Sequence, residues 1–123
     1  MELNSYFKSI IEQDRCPVVI CDTEHQIIYM NPAAIKSNEK HGGAALIGKS
    51  LLDCHDPASC QRIRQVVEWF SQSKENNIVY TFHNKKVNKD VYMIALRDDA
   101  GDLIGYYEKH EFRSRETGEL YAL

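Results

Sequence analysis

The chain has 123 residues, of which 43% are hydrophobic and 27% are charged, the balance expected of one soluble globular domain. Its net charge of -3 at pH 7 argues against nucleic acid or an anionic membrane as the main partner, because both require a basic surface. No apolar run is long enough to span a membrane, and the N-terminus MELNSYFKS lacks the pattern of a signal peptide. We therefore expect a cytoplasmic protein without membrane or nucleic-acid contacts.

The first predicted element is an amphipathic helix within residues 1–15. Its apolar side chains recur at spacings of three and four, the pattern of one helix face, and are Leu3, Tyr6, Phe7, Ile10 and Ile11. Pro17 ends the helix, because the residue before a proline is pushed out of the helical region. Such a stripe packs either on the chain's own sheet or on a second copy. We expect a homodimer through residues 3–11 and the exposed face of the sheet.

A β-hairpin and a capped helix follow. Residues 18–21 and 27–30 are short apolar runs, and the polar residues between them are typical of a turn. Asn31 is a preferred N-cap, and Pro32 suits the first helical position because its missing N–H would be unpaired there. The sequence predicts a short helix over residues 31–37.

The middle of the chain is predicted to hold short helical pieces and one long helix. Residues 44–49 indicate one helical turn closed by Gly48, which suits the left-handed position after a helix. The long helix begins with Asp56 as N-cap and Pro57 at the first position. Its apolar face is formed by Cys60, Ile63, Val66, Val67 and Phe70.

Three further strands are predicted at residues 78–83, 91–96 and 103–112, with hairpin turn chemistry at residues 97–102. Gly105 within the last strand indicates a bulge or a close backbone approach. Because strands and helices do not alternate, the fold class is α+β with an antiparallel sheet.

The order of elements resembles that of a PAS domain. Three segments carry the resemblance: PVVICDTEHQIIYMNPAA, LIGKSLLDCHDP and RDDAGDLIG. The resemblance implies a five-stranded antiparallel sheet with short helices and one longer helix on one face. It implies three parts: an N-terminal helix at residues 1–15, the PAS domain at 16–113 and a tail at 114–123.

The resemblance also implies a non-catalytic sensory or interaction module that binds a small molecule or a protein partner in signal transduction. The alternative is a module without ligand, whose own side chains fill its core. If there is a pocket between sheet and helices, we expect its lining to be Cys21, Tyr29, Ile35, Leu52, His55, Ile63, Val67, Tyr80, Met93 and Tyr107.

The cofactor is not predicted by these residues. LLDCHDPASC does not match the reactive-cysteine segment of flavin-binding PAS domains, so flavin is not expected. Haem stays open, because His55 precedes the long helix near the place where haem-binding PAS domains carry their ligand; the alternative is that His55 belongs to a polar capping turn. Zinc at Cys54, His55 and Cys60 lacks the fourth ligand that a structural site needs. Nucleophilic catalysis at Cys54 and His55 lacks the supporting groups of a catalytic site. The four cysteines are expected to be free thiols.

Overall fold

The computed structural model describes residues 1–123 as a five-stranded antiparallel sheet with helices on one face and one helix on the other. The helices are α1 (Asn4–Glu12), α2 (Pro32–Ser37) and α3 (Pro57–Gln72). Three 3-10 turns lie between α2 and α3, at Glu39–His41, Gly43–Leu46 and Leu51–Cys54. The strands are β1 (Val19–Asp22), β2 (Ile27–Met30), β3 (Ile78–Asn84), β4 (Lys89–Arg97) and β5 (Leu103–Phe112). The predicted α+β class and the order of the elements are confirmed.

Both predicted N-caps are present. The Asn31 side chain accepts a hydrogen bond from Ala34 N, and Asp56 accepts one from Ser59 N at 2.8 Å. α3 extends to Gln72, further than the polar residues after Phe70 suggest. Residues 38–43, between the two predicted helical segments, include the 3-10 turn at Glu39–His41. The tail beyond β5 is exposed and forms neither helix nor strand.

The strand order in the sheet is β2-β1-β5-β4-β3, so the N-terminal hairpin pairs with the last strand of the chain. At Gly105, β5 lies too close to β1 for a side chain, because a Cβ atom there would lie 2.2 Å from the carbonyl oxygen of Cys21. Only glycine fits this position, so the predicted close backbone approach is present.

The register assigns the two faces of the sheet. Side chains of directly paired residues point to the same face, and neighbours along a strand point to opposite faces. Cys21 pairs with Tyr106, and both are about 1% exposed. They define the inner face, which α3 and the 3-10 turns cover.

The core lies between this inner face and the helices. Its buried members are Cys21, Ile27, Met30, Ala34, Leu46, Leu51, Ile63, Val67, Phe70, Met93 and Tyr106. α3 contributes side chains at spacings of three and four, as its sequence pattern predicts.

Candidate ligand-binding cleft

A cleft of about 380 Å³ separates α3 from the inner face of β3, β4 and β5. This volume falls in the range of roughly 300–1,000 Å³ that is usual for small-molecule sites. Its apolar wall includes Ile63 and Val66 from α3 and Val91 and Met93 from β4. The cleft is open to solvent beside β3, where Phe82 is 59% exposed.

A second cavity, of about 250 Å³, lies between the hairpin and the 3-10 turns. Four polar side chains line both this cavity and the larger cleft: His55, Lys89, Glu108 and His110. Lys89, Glu108 and His110 come from β4 and β5, whereas His55 lies directly before the N-cap of α3. These four side chains therefore form a shared polar lining, which we call the polar quartet.

The polar quartet is only partly satisfied by protein contacts. His55 Nδ1 lies 2.9 Å from the Leu51 carbonyl oxygen. Because a carbonyl can only accept, this nitrogen carries the proton, and the neutral ring keeps its lone pair on Nε2. Nδ1 of His110 is buried without any hydrogen-bond partner. An unpaired buried polar atom costs free energy, and this nitrogen is too enclosed to be reached from the cleft.

The two full charges of the polar quartet do not pair with each other. The nearest ionic neighbour of Glu108 is His110, with 3.6 Å between Oε2 and Nε2. Lys89 forms no ion pair, and its Nζ lies 5.9 Å from the centre of the Phe112 ring. A cation without an ion pair and a carboxylate whose ionic neighbour is one imidazole, 3.6 Å away, thus line one cleft.

A second set of polar atoms is closed off within the core. The Tyr106 hydroxyl lies 2.8 Å from His25 Nδ1. Burial and a hydrogen bond to Cys21 are among the causes that raise the pKa of Tyr106 above its ordinary range. Burial raises the pKa of the Cys21 thiol to about 12. Cys21 is therefore a protonated, unreactive thiol that contributes to packing.

Seven of the ten residues expected around a pocket lie in the interior. His55, Ile63 and Met93 line the cleft. Cys21 and Val67 belong to the buried core, and Ile35 and Leu52 pack against it.

The three predicted tyrosines lie on the outer face of the sheet instead. Ile20 of β1 pairs with Tyr29 on one side and with Tyr107 on the other, and it points away from the face that Cys21 defines. The Tyr29 hydroxyl donates to Glu12 of α1 at 2.6 Å. Tyr80 stacks on Tyr92, and its hydroxyl donates to a third residue, Asp90. The prediction that these three tyrosines line the pocket is therefore corrected: they lie on the outer face of the sheet.

Asp90 collects several partners on this outer face. It accepts from the Tyr80 hydroxyl at 2.7 Å and from Arg113 Nε at 2.6 Å, and His83 Nδ1 lies 2.7 Å away. Arg113 is the main cause that lowers the pKa of the Asp90 carboxyl, followed by Tyr80 and His83. This cluster holds β3, β4 and the end of β5 together on the side away from the cleft.

Sequence reasoning missed Lys89, Glu108 and His110. The signal was present, because Tyr106, Glu108 and His110 alternate along one strand and share a face. With Tyr107 as the inward residue, the sequence pattern assigns Glu108 and His110 to the wrong face by a shift of one position. Lys89 lies outside the predicted strand at residues 91–96, whereas β4 begins at Lys89.

The structure contains no cluster of potential metal ligands. No group of three or more His, Cys, Asp or Glu side chains lies close enough together to hold a metal ion. Cys54 is exposed, and Cys60 is buried with its Sγ 3.2 Å from the Leu52 carbonyl oxygen.

Comparison with known families identifies the chain. The family model described as PAS fold matches residues 11–109, and the chain belongs to this family. PAS domains are sensory modules of signal transduction and are typically not catalytic. No curated protein matches the chain.

Solved structures are similar over nearly the whole chain. The C-terminal domain of a Streptococcus mutans protein has a TM-score of 0.66 at 20% identity, covering 88% of this chain and 83% of that one. The PAS domain of BvgS from Bordetella pertussis has a TM-score of 0.61 at 17% identity, covering 90% and 86%. The Aer2 receptor from Vibrio cholerae, described as a dual PAS-heme oxygen sensor, has a TM-score of 0.55 at 21% identity, covering 80% and 94%. At these identities the likeness establishes the shared fold.

Proposed function

We propose that this chain is a sensory PAS module that binds a small molecule in the cleft between α3 and the sheet. The observation that carries the proposal is the polar quartet, a set of incompletely paired polar groups beside an apolar wall. A few placed polar groups within an apolar cleft are the usual composition of a small-molecule site. A ligand would supply the hydrogen bonds that the protein itself leaves unmade.

Such a ligand would act on the packing between α3 and the sheet, because it touches both. The strands that carry the quartet belong to the same sheet whose outer face contacts α1 through Tyr29 and Glu12. A change in the position of β5 relative to β1 would therefore reach α1. We propose this as the route from the cleft to a partner surface.

Native mass spectrometry of protein purified without denaturation tests the binding proposal. We expect a non-covalent small molecule to accompany the wild-type chain. Ser59→Phe should remove that molecule, because Ser59 lines the cleft and a phenyl ring would fill it. Ser71→Phe is the matched control, since Ser71 lies exposed on the same helix and outside the cleft. Two negative results together would contradict the proposal: wild-type protein that carries no small molecule, and no cellular metabolite that raises its melting temperature. They would favour the alternative of a protein-interaction module.

Haem is the alternative occupant, and one observation favours it. The Nδ1 proton of His55 is held by a backbone carbonyl, which leaves Nε2 as the nitrogen with a free lone pair. Metal-ligating histidines usually show this arrangement. An absorption spectrum decides between the two, because bound haem gives a Soret band that His55→Ala should abolish.

We also propose a homodimer formed through α1. Leu3, Phe7 and Ile10 recur at spacings of four and three, and they are 41%, 55% and 69% exposed. α1 has no buried residue, although its sequence is strongly amphipathic. A second copy of the same stripe would cover these side chains.

The cytoplasm is the compartment that we propose for this chain. Its four cysteines are free, as is usual where thiols are kept reduced. No helix of the structure combines the length and the apolar character needed to cross a membrane. With a net charge of -3, we propose neither a nucleic acid nor a membrane as partner.

A further inference from the structure

The polar quartet restricts the chemistry of the ligand, because its two full charges have opposite signs. Lys89 and Glu108 line the same two cavities without lying within ion-pair distance of each other. A ligand with a single positive charge would leave Lys89 unpaired, and one with a single negative charge would leave Glu108 with only its 3.6 Å contact to His110. An ionised group that loses water without gaining a partner costs free energy.

Resting on the proposed function, we propose that the ligand is an α-amino acid with an apolar side chain. Its carboxylate pairs with Lys89, its ammonium pairs with Glu108, and its side chain lies against Ile63, Val91 and Met93. Both ion pairs are charge-assisted hydrogen bonds, the stronger class of such bonds.

The His55 imidazole fits the same ligand. Its Nε2 is an acceptor, because its Nδ1 donates to the Leu51 carbonyl oxygen. An ammonium group carries three donors, of which the Glu108 carboxylate and His55 Nε2 can accept two.

The size of the cleft agrees with an apolar α-amino acid as ligand. A cavity of about 380 Å³ accommodates a side chain such as that of leucine or phenylalanine together with the amino-acid backbone. The same four polar side chains border the second cavity, whose lining includes Val19, Ile27 and Leu46. An apolar side chain can thus meet apolar walls on either side of the quartet.

Calorimetric titration with L-leucine and two analogues tests the proposal. 4-Methylpentanoate lacks the ammonium group of leucine, and 3-methylbutylamine lacks its carboxylate. We expect L-leucine or another apolar L-amino acid from an alanine-to-phenylalanine series to bind. Each single-charge analogue should bind at least about tenfold more weakly, the loss of one charge-assisted hydrogen bond.

Variants of the two charges complete the test. Glu108→Gln and Lys89→Met should each weaken amino-acid binding about tenfold or more. Glu111→Gln and Lys109→Met are the matched controls, because their positions on β5 alternate with Glu108 and His110 and point to the outer face. The controls should bind with a Kd within about twofold of wild type, because changes at distant sites that share no partner rarely alter the binding energy further.

The outcomes separate this inference from the proposed function. An analogue with one charge that binds as well as its parent amino acid overturns the zwitterion and leaves the cleft as a ligand site. The same holds if native mass spectrometry finds a co-purified molecule that is not an amino acid. If no amino acid binds and no molecule accompanies the protein, both proposals fail together.

Discussion

Asn31 joins three segments of the chain through one side chain. Its Oδ1 accepts from Val18 N and Ala34 N, each at 2.9 Å. Its Nδ2 donates to the carbonyl oxygens of Ile11 and Cys16, each at 3.0 Å. The end of α1, the connection to β1, and the start of α2 therefore meet at a fully buried amide.

We expect Asn31→Asp to destabilise the protein by about 3 kcal/mol or more at neutral pH, because a carboxylate cannot donate and its charge would be buried beside two carbonyl oxygens. Urea unfolding followed by circular dichroism measures this change. Asn88→Asp is the control, since Asn88 is exposed and has a left-handed backbone that aspartate tolerates. A loss below about 0.5 kcal/mol, the usual range of surface substitutions, would show that the amide does not hold these segments.

At the scale of elements, Arg97 fastens the end of α3 to the sheet. From β4, its Nε donates to Asn77 Oδ1 at 2.7 Å, and its terminal nitrogens donate to backbone carbonyl oxygens that include those of Phe70 and Gly101. The last carbonyls of a helix have no partner within the helix. A guanidinium group there satisfies them and complements the negative end of the helix dipole.

Replacing Arg97 by lysine tests this role. We expect Arg97→Lys to lower the free energy of unfolding by about 2 kcal/mol, because an ammonium group cannot reproduce the planar fork of donors. Hydrogen exchange should also show that the amides near Phe70 open faster in Arg97→Lys than in the wild-type protein. Arg115→Lys in the exposed tail is the control. If Arg97→Lys and Arg115→Lys are equally stable, the last turn of α3 is held by apolar packing and not by the hydrogen bonds of Arg97.

The elements themselves could be predicted from the sequence, because their signals are local. Apolar periodicity, the N-caps Asn31 and Asp56 and the turn residues all lie within a few positions of the structure they specify. The faces of the sheet are a different problem. Tyr106 and Tyr107 are chemically identical neighbours, and only the pairing with Cys21 and Ile20 decides which one is buried.

The polar lining of the cleft was hidden for the same reason. The run Tyr-Glu-Lys-His-Glu places ionisable residues on both faces of β5, so composition alone does not indicate an inner site. Irregular pairing between Tyr80 and Phe82 in β3 adds a further shift of register that no local pattern reveals. Long-range pairing therefore decided what the sequence left open.

At the scale of the molecule, the sheet separates two surfaces with different roles. The inner face carries the core and the cleft, whereas the outer face carries α1 and the Asp90 cluster. A groove of about 230 Å³ lies between α1 and the outer face, lined by residues that include Ile11, Ile20 and Tyr107. The apolar stripe of α1 thus extends an already apolar surface.

The proposed homodimer is tested by sedimentation. We expect wild-type protein to sediment as a dimer and Phe7→Glu to sediment as a monomer, because a charge at a buried contact is costly. Lys8→Glu introduces the same side chain at the next position of α1, outside the stripe, and should leave the dimer intact. Monomeric wild-type protein at high concentration, or a dimer that survives Phe7→Glu, would contradict the proposal.

The strand order has a consequence for folding during synthesis on the ribosome. β1 lies between β2 and β5, and the contact between His25 and Tyr106 spans 81 residues of sequence. A protein chain emerges N-terminus first, so the hairpin leaves the exit tunnel long before its partner strand exists. Until β5 appears, Cys21 lacks its cover and β1 has an open edge, which other nascent chains or chaperones can reach. Closure of this sheet is therefore a late event of synthesis, set by the arrival of β5.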